Sequence, residues 1–171
     1  MTWGDTLMRR LITGVAALGA VLLMAIPAQA SGAGAVSVTQ TFHNATVSMS
    51  SPNPCTGAAG TITLTYNGVN HVTFLTSGVG AGTGWGTFTA TGDFAFTPTA
   101  PSQPSFTGKF TAWDGFSFNL NNFAATSILV VHGTGSDGSS LTFHDVMHTT
   151  VLNPLSNSPT IVVNFDKPTC G

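Results

Sequence analysis

From Val36 onward, apolar and polar residues alternate in short runs. "TITLTYNG" sets Ile62, Leu64 and Tyr66 between threonines, and "TFTATGDFAF" brings Phe88, Ala90, Phe94 and Phe96 into one phase. "FTGKFTA" and "FSFNL" do the same with Phe106, Phe110, Phe116, Phe118 and Leu120. A period of two rich in Thr, Phe and Val marks half-buried strands, and no window keeps a helical period. Strands are expected at 36–48, 60–66, 69–76, 84–97, 105–113, 116–122, 125–133, 140–151 and 160–166.

Three connections share a form: "YNG" (66–68), "WDG" (113–115) and "SDG" (136–138). A two-residue turn at Asp114-Gly115 would put Phe110 and Phe118 on opposite faces. A three-residue loop with Gly115 in the left-handed region keeps every phenylalanine on one side, so the hydrophobic phase favours it. Three tight hairpins in succession make a meander. The pattern therefore predicts an all-β, antiparallel up-and-down meander of 8–9 strands, closed into a barrel. A two-sheet sandwich is the alternative, because closure leaves no mark in the sequence. Longer connections are Gly-rich at 76–86 and Pro-rich at 97–105 and 151–159.

The N-terminus changes where this domain is expected to work. Arg9 and Arg10, the apolar run Leu11–Pro27 and the small residues Ala28–Ala30 have the form of a secretory signal. The surroundings of the arginine pair fit general secretion better than twin-arginine export. The expected organisation is a signal peptide at 1–30 and one domain at 31–171, secreted, with no membrane anchor.

After residue 30 the only basic side chains, histidine apart, are Lys109 and Lys167, against Asp93, Asp114, Asp137, Asp145 and Asp166. Glutamate is absent. Two lysines cannot track a phosphate backbone, which argues against nucleic acid. So few carboxylates also argue against paired-carboxylate hydrolysis. The two cysteines, Cys55 and Cys170, are expected to form a disulfide in an oxidising compartment, tying the two ends of the domain together.

Candidate chemistry centres on "LTFHDVMHTT", Leu141–Thr150. On a helix, His144 and His148 could grip one metal. The segment has strand composition, and on a strand they sit roughly 13 Å apart. A cross-strand site depends on the "SDG" turn. A three-residue loop places His132 opposite Thr142 and diagonal to His144, with Asp145 opposite Leu129. A two-residue turn makes His132 the diagonal neighbour of Asp145, an acid/base dyad. The plainer reading is that these histidines bond locally or face solvent.

"GVGAGTG" (78–84) has the composition of a phosphate loop but no helix follows it, and "NAT" (44–46) is a glycosylation acceptor only in a host that uses it. No G-x-S-x-G elbow points to a serine hydrolase. No cofactor or resident metal is expected. Trp85 and Trp113 could stack on a sugar or another flat ligand, or plug the end of a core. With Phe110 and Phe118 they are the candidate ligand-binding residues.

"NPCTG" (53–57), "PSFTGKFTAWDGFSFNLNNF" (104–123), "HGTGSDGSSLTFHDVMH" (132–148) and the closing "CG" resemble a family of small secreted actinobacterial proteins. The resemblance implies export and a two-cysteine framework, and brings no activity, ligand or catalytic residue with it. The leading expectation is a non-enzymatic protein binding a small apolar ligand in the lumen, or a partner at the loop-rich mouth. The alternatives are a small isomerase or cyclase using His132 with His144 or Asp145, and a wall- or matrix-associated structural protein.

Overall fold

A computed structural model describes residues 34–171. The secretory signal expected at 1–30 lies outside the described residues. The strands are β1 (Ala35–Ser50), β2 (Gly60–Leu75), β3 (Gly84–Pro98), β4 (Phe106–Phe118), β5 (Asn122–Gly135), β6 (Ser140–Leu152), β7 (Thr160–Asp166) and β8 (Thr169–Cys170). They form one eight-stranded sheet in the order β1 to β7, each strand antiparallel to the next, with β8 beside β6. The up-and-down meander is therefore present.

Two of the three expected hairpins are not. β2 runs unbroken through Asn67-Gly68, and β4 runs unbroken through Asp114-Gly115. The reason is visible in the phase. Ile62, Leu64, Tyr66, Val72 and Phe74 all sit on even positions, as do Phe106, Phe110, Ala112, Phe116 and Phe118. A single strand keeps that phase without any turn. Chain reversal after β4 falls instead at 119–121, where the Asn119 carboxamide oxygen accepts from the N–H groups of Asn121 and Asn122, both at 2.8 Å. The "SDG" turn does form. Gly138 is left-handed there (φ 83°), and the Gly135 N–H donates to the Ser139 carbonyl at 2.7 Å.

Even positions from β2 to β4 and odd positions on β5 and β6 make the inner face. At the end that carries loops 51–59, 99–105 and 136–139, this face is packed shut. Tyr66, Phe94, Phe96, Phe106, Phe110 and Leu141 belong to one buried cluster, against which Phe42, Val47, Leu129 and Val131 pack. Strands from both halves of the sheet share this core, so the sheet is strongly curled.

Two inner-face glycines allow the curl. A Cβ at Gly92 would lie 2.1 Å from the Thr65 carbonyl oxygen, and one at Gly108 would lie 2.1 Å from that of His132. Neighbouring strands approach there more closely than any side chain permits. Elsewhere phenyl rings fill the space above glycines, Phe96 over Gly60 and Phe94 over Gly133.

The expected barrel is not closed. Among the described residues, β1 pairs only with β2, while β7 and β8 pair only with β6. In an antiparallel run of seven strands the first and seventh point the same way, so closing the seam would need a parallel pair inside an antiparallel sheet. The result is an open, curled sheet, closer to the sandwich alternative, with two halves facing each other over one core.

The expected disulfide is present: Cys55 and Cys170 are bonded, with their Cα atoms 5.7 Å apart. It ties loop 51–59 to β8. That loop is built on Asn53, which is fully buried and whose side-chain oxygen accepts from the N–H groups of Cys55 and Thr56 at 2.9 and 3.0 Å.

Candidate functional site: an outward indole platform

The fold separates the residues of the "FHDVMH" segment onto two faces. His132 pairs with Thr142 and His144 with Val130, the register of the three-residue loop. Both histidines are exposed on the outer face. Asp145 pairs with Leu129 and points to the inner face, with Phe143 and Met147. The His–Asp dyad is therefore not assembled. No side-chain hydrogen bond or ion pair engages His132 or His144, and no group of three or more His, Cys, Asp or Glu among the described residues is arranged to hold a metal.

His148 has a structural role. Its Nδ1 is 2.7 Å from the Thr126 hydroxyl, its Nε2 is 3.1 Å from that of Thr150, and its ring stacks on Phe165 at 5.7 Å.

The inner face holds polar groups beyond the packed end. Asp114 accepts a hydrogen bond from the Ser127 hydroxyl, and burial pushes its carboxyl up to about 6. Asp145 is also pushed up to about 6, first by burial and then by a hydrogen bond and like charge from Asp166. The Oδ1 atoms of Asp145 and Asp166 are buried without a donor. A proton held between the two carboxyls relieves both. Asp114 was hidden in the sequence by its place in "WDG", although it sits on the even phase of Phe110, Ala112 and Phe116. Asp166 gave no signal, because only the fold brings it beside Asp145.

The four candidate ligand-binding residues also separate. Phe110 is core, 4% exposed, and Phe118 is half-buried on the inner face near the unpacked end, 5.7 Å from Phe74. Trp85 and Trp113 lie on the outer face, 44% and 38% exposed. Their odd phase sets them among hydroxyls. Trp85 pairs with Thr73 and Ser117, Trp113 pairs with Thr89 and Ile128, and Thr87, between them, pairs with Gly115 and His71.

Gly115 decides how Trp113 lies. A Cβ there would be 2.6 Å from the indole Cη2 and 2.9 Å from Cζ2, so the ring spreads along the strand over the glycine, towards Trp85. With strands about 4.8 Å apart and residues about 3.3 Å apart along each, that ring comes within roughly 8 Å of the Trp85 backbone. The nearest outer-face charges, Asp93 and Lys109, are each four positions from this ring's row and bond to each other at 2.5 Å. The platform is thus aromatic, bordered by hydroxyls and by Ile128, and carries no Asp, Glu, Lys or Arg.

In comparisons with family models, curated proteins and solved structures, the chain matches none.

Proposed function

We propose that this is a non-enzymatic binding protein that holds a neutral, hydroxyl-rich ligand, a glycan, on the Trp85–Trp113 platform. The observation that carries the reading is the pair of exposed indoles on one uncharged face, one of them laid flat over Gly115. An indole carries a large apolar surface whose exposure to water is unfavourable, while its N–H needs a polar partner. A sugar ring offers both matches, an apolar C–H face for the indole and hydroxyls for Thr87, Thr89 and Ser117.

A small apolar ligand in the lumen has less support. The end carrying the disulfide is filled by phenyl rings, and the half-buried apolar surface beyond it, which includes Val36, Val38, Phe74 and Phe118, is interrupted by the carboxyls of Asp114 and Asp145. The disulfide fits an oxidising compartment, where extracellular glycans occur.

Titration of the purified protein with cellohexaose, xylohexaose, laminarihexaose and chitohexaose, followed by indole fluorescence and calorimetry, tests it. At least one sugar should shift the emission saturably, and Trp85→Ala and Trp113→Ala should each weaken it tenfold or more at unchanged melting temperature. Four sugars without effect, or full binding by both variants, would remove the platform as the ligand site.

A further inference from the structure

β7 adds a strand to the sheet and almost nothing to its core. From Leu155 to Gly171 every residue is exposed except Asp166. Ile161, Val162, Val163 and Phe165 therefore bury little, and burial against neighbours is what normally holds a short strand in place. Its ladder is thin as well. Among the described residues β7 pairs with β6 alone, through six residue pairs, and a bulge between Thr150 and Val151 breaks the run. Beyond the ladder, the Thr149 hydroxyl donates to the Asn164 carboxamide oxygen at 3.2 Å, and Phe165 stacks on His148.

Asp166 is thus the strand's inward anchor, and it sets one carboxyl against another. It lies opposite Met147 and meets Asp145, two positions along β6 on the same face. The Oδ1 atoms of both are buried, and neither has a donor. Two such oxygens repel each other and have given up their hydration. A proton between them turns the same contact into a charge-assisted hydrogen bond. Among the described residues no cation bonds either carboxyl in its place. On β5 the neighbours of Asp145 on this face are Leu129 and Ser127, and the Ser127 hydroxyl is committed to Asp114 of β4. β8 brings Thr169 and the bonded Cys170. The Lys167 ammonium lies over the Phe165 ring, His148 is held by Thr126 and Thr150, and His144 is on the outer face.

Both ends of the segment are fixed without help from the pair. At one end the Asn153 N–H donates to the Asn121 carbonyl at 2.6 Å. At the other, Thr142 and Gly171 exchange two main-chain bonds beside the Cys55–Cys170 disulfide. We propose that residues 154–168 form a pH-released strap: a proton shared by Asp145 and Asp166 pins β7 to β6 in acid, and its loss lets the strap lift between its two fixed ends. Lifting bares the main-chain edge of β6 from Met147 to Leu152. The Trp85–Trp113 platform plays no part in it.

The direction follows from the proton. Asp145 keeps it up to about 6 with the strap down, against 3.8 for an unhindered aspartate. The contribution to closure is therefore complete below about pH 4 and is lost as pH rises through about 6. Between pH 5 and 7.5 closure weakens about tenfold.

Amide hydrogen exchange of the whole protein, disulfide intact and corrected for intrinsic rates, tests this at pH 5 and 7.5. Protection of the amides in 161–166 that bond β6 should fall about tenfold over that interval. At pH 7.5 it should lie at least tenfold below the protection of β3 and β4. Asp166→Asn, and from the other side Asp145→Asn, supply an amide donor at either pH and should keep the strap protected at both. Asp114→Asn removes the other raised carboxyl and should leave the drop in place. Protection of β7 that does not change with pH overturns the proposal, as does a drop that persists in both Asn variants of the pair. Loss of protection at both pH values in those variants does the same, because the pair would then be packing alone. So does β7 no less protected than β3 and β4, which would mean that the pair acts on the whole sheet at once.

Discussion

Asp145 and Asp166 face each other from β6 and β7, joined carboxyl to carboxyl, and Asp145 holds the proton up to about pH 6. Asp114 holds its own proton to about the same pH through burial. Both lie above the value of 3.8 for an unhindered aspartate. The folded state therefore keeps protons that the unfolded chain has released. This stabilisation is complete below about pH 4 and is lost as pH rises through about 6. The melting temperature should fall between pH 4.5 and 7.5. A scan in which it climbs steadily over that range would sink the assignment.

Replacing one carboxyl of the pair should remove part of that slope. In Asp145→Asn the amide can donate to the Asp166 carboxylate without sharing a proton. Urea unfolding at pH 7.5 should show a gain of about 1 kcal/mol, the usual worth of one hydrogen bond. At pH 4.5 the variant should match the parent or fall slightly below it. Equal losses at both pH values would mean that the site is packing alone.

Gly108→Ala should cost about 2–3 kcal/mol or more, because the new methyl meets the His132 carbonyl oxygen rather than a side chain that can turn away. Gly34→Ala is the control. Its nearest neighbour would be the Ser77 hydroxyl at an ordinary 3.5 Å. Paired chemical denaturation of the two variants decides it. A cost for Gly108→Ala no larger than for the control would show that the close approach does not set the curl.

Removing the disulfide by Cys55→Ser with Cys170→Ser should destabilise the fold by up to about 5 kcal/mol in the chain-entropy account, given its sequence separation of 115. The loss should begin locally. Amides that bond β8 to the chain, at Thr142 and Gly171, should exchange before those of β3 and β4. Uniform loss across the sheet would argue that the bond holds the whole core rather than one corner.

The meander and its inner face were legible because side chains on a strand alternate, and phenylalanine marks one phase from Phe88 to Phe118. The register at "SDG" was not legible, because a two-residue and a three-residue loop both fitted the sequence there, and only the fold selects the three-residue form. Asn67-Gly68 and Asp114-Gly115 misled for a different reason. Such dipeptides favour turns, but the unbroken even phase on either side already allowed one long strand, and packing overrode local preference. The outward direction of Trp85 and Trp113 was written in their odd phase, shared with Thr87, Thr89 and Ser117. Barrel closure was not legible, because it turns on whether the strand count is odd or even. Counting hairpins at "YNG" and "WDG" obscured that number. The Asp145–Asp166 contact joins residues on different strands whose register depends on a bulge in β7.

Hydroxyls rather than charges hydrate the outer face. Ser37 bonds Thr73, Ser48 bonds Thr63, and Thr46 bonds Thr65 across β1 and β2. The ion pair that it carries among the described residues, Asp93 with Lys109, is largely solvated and contributes little. Dissolved ions screen fields between charges, and here there is almost no field to screen. Solubility and recognition on this face should therefore stay nearly constant from dilute buffer to brine.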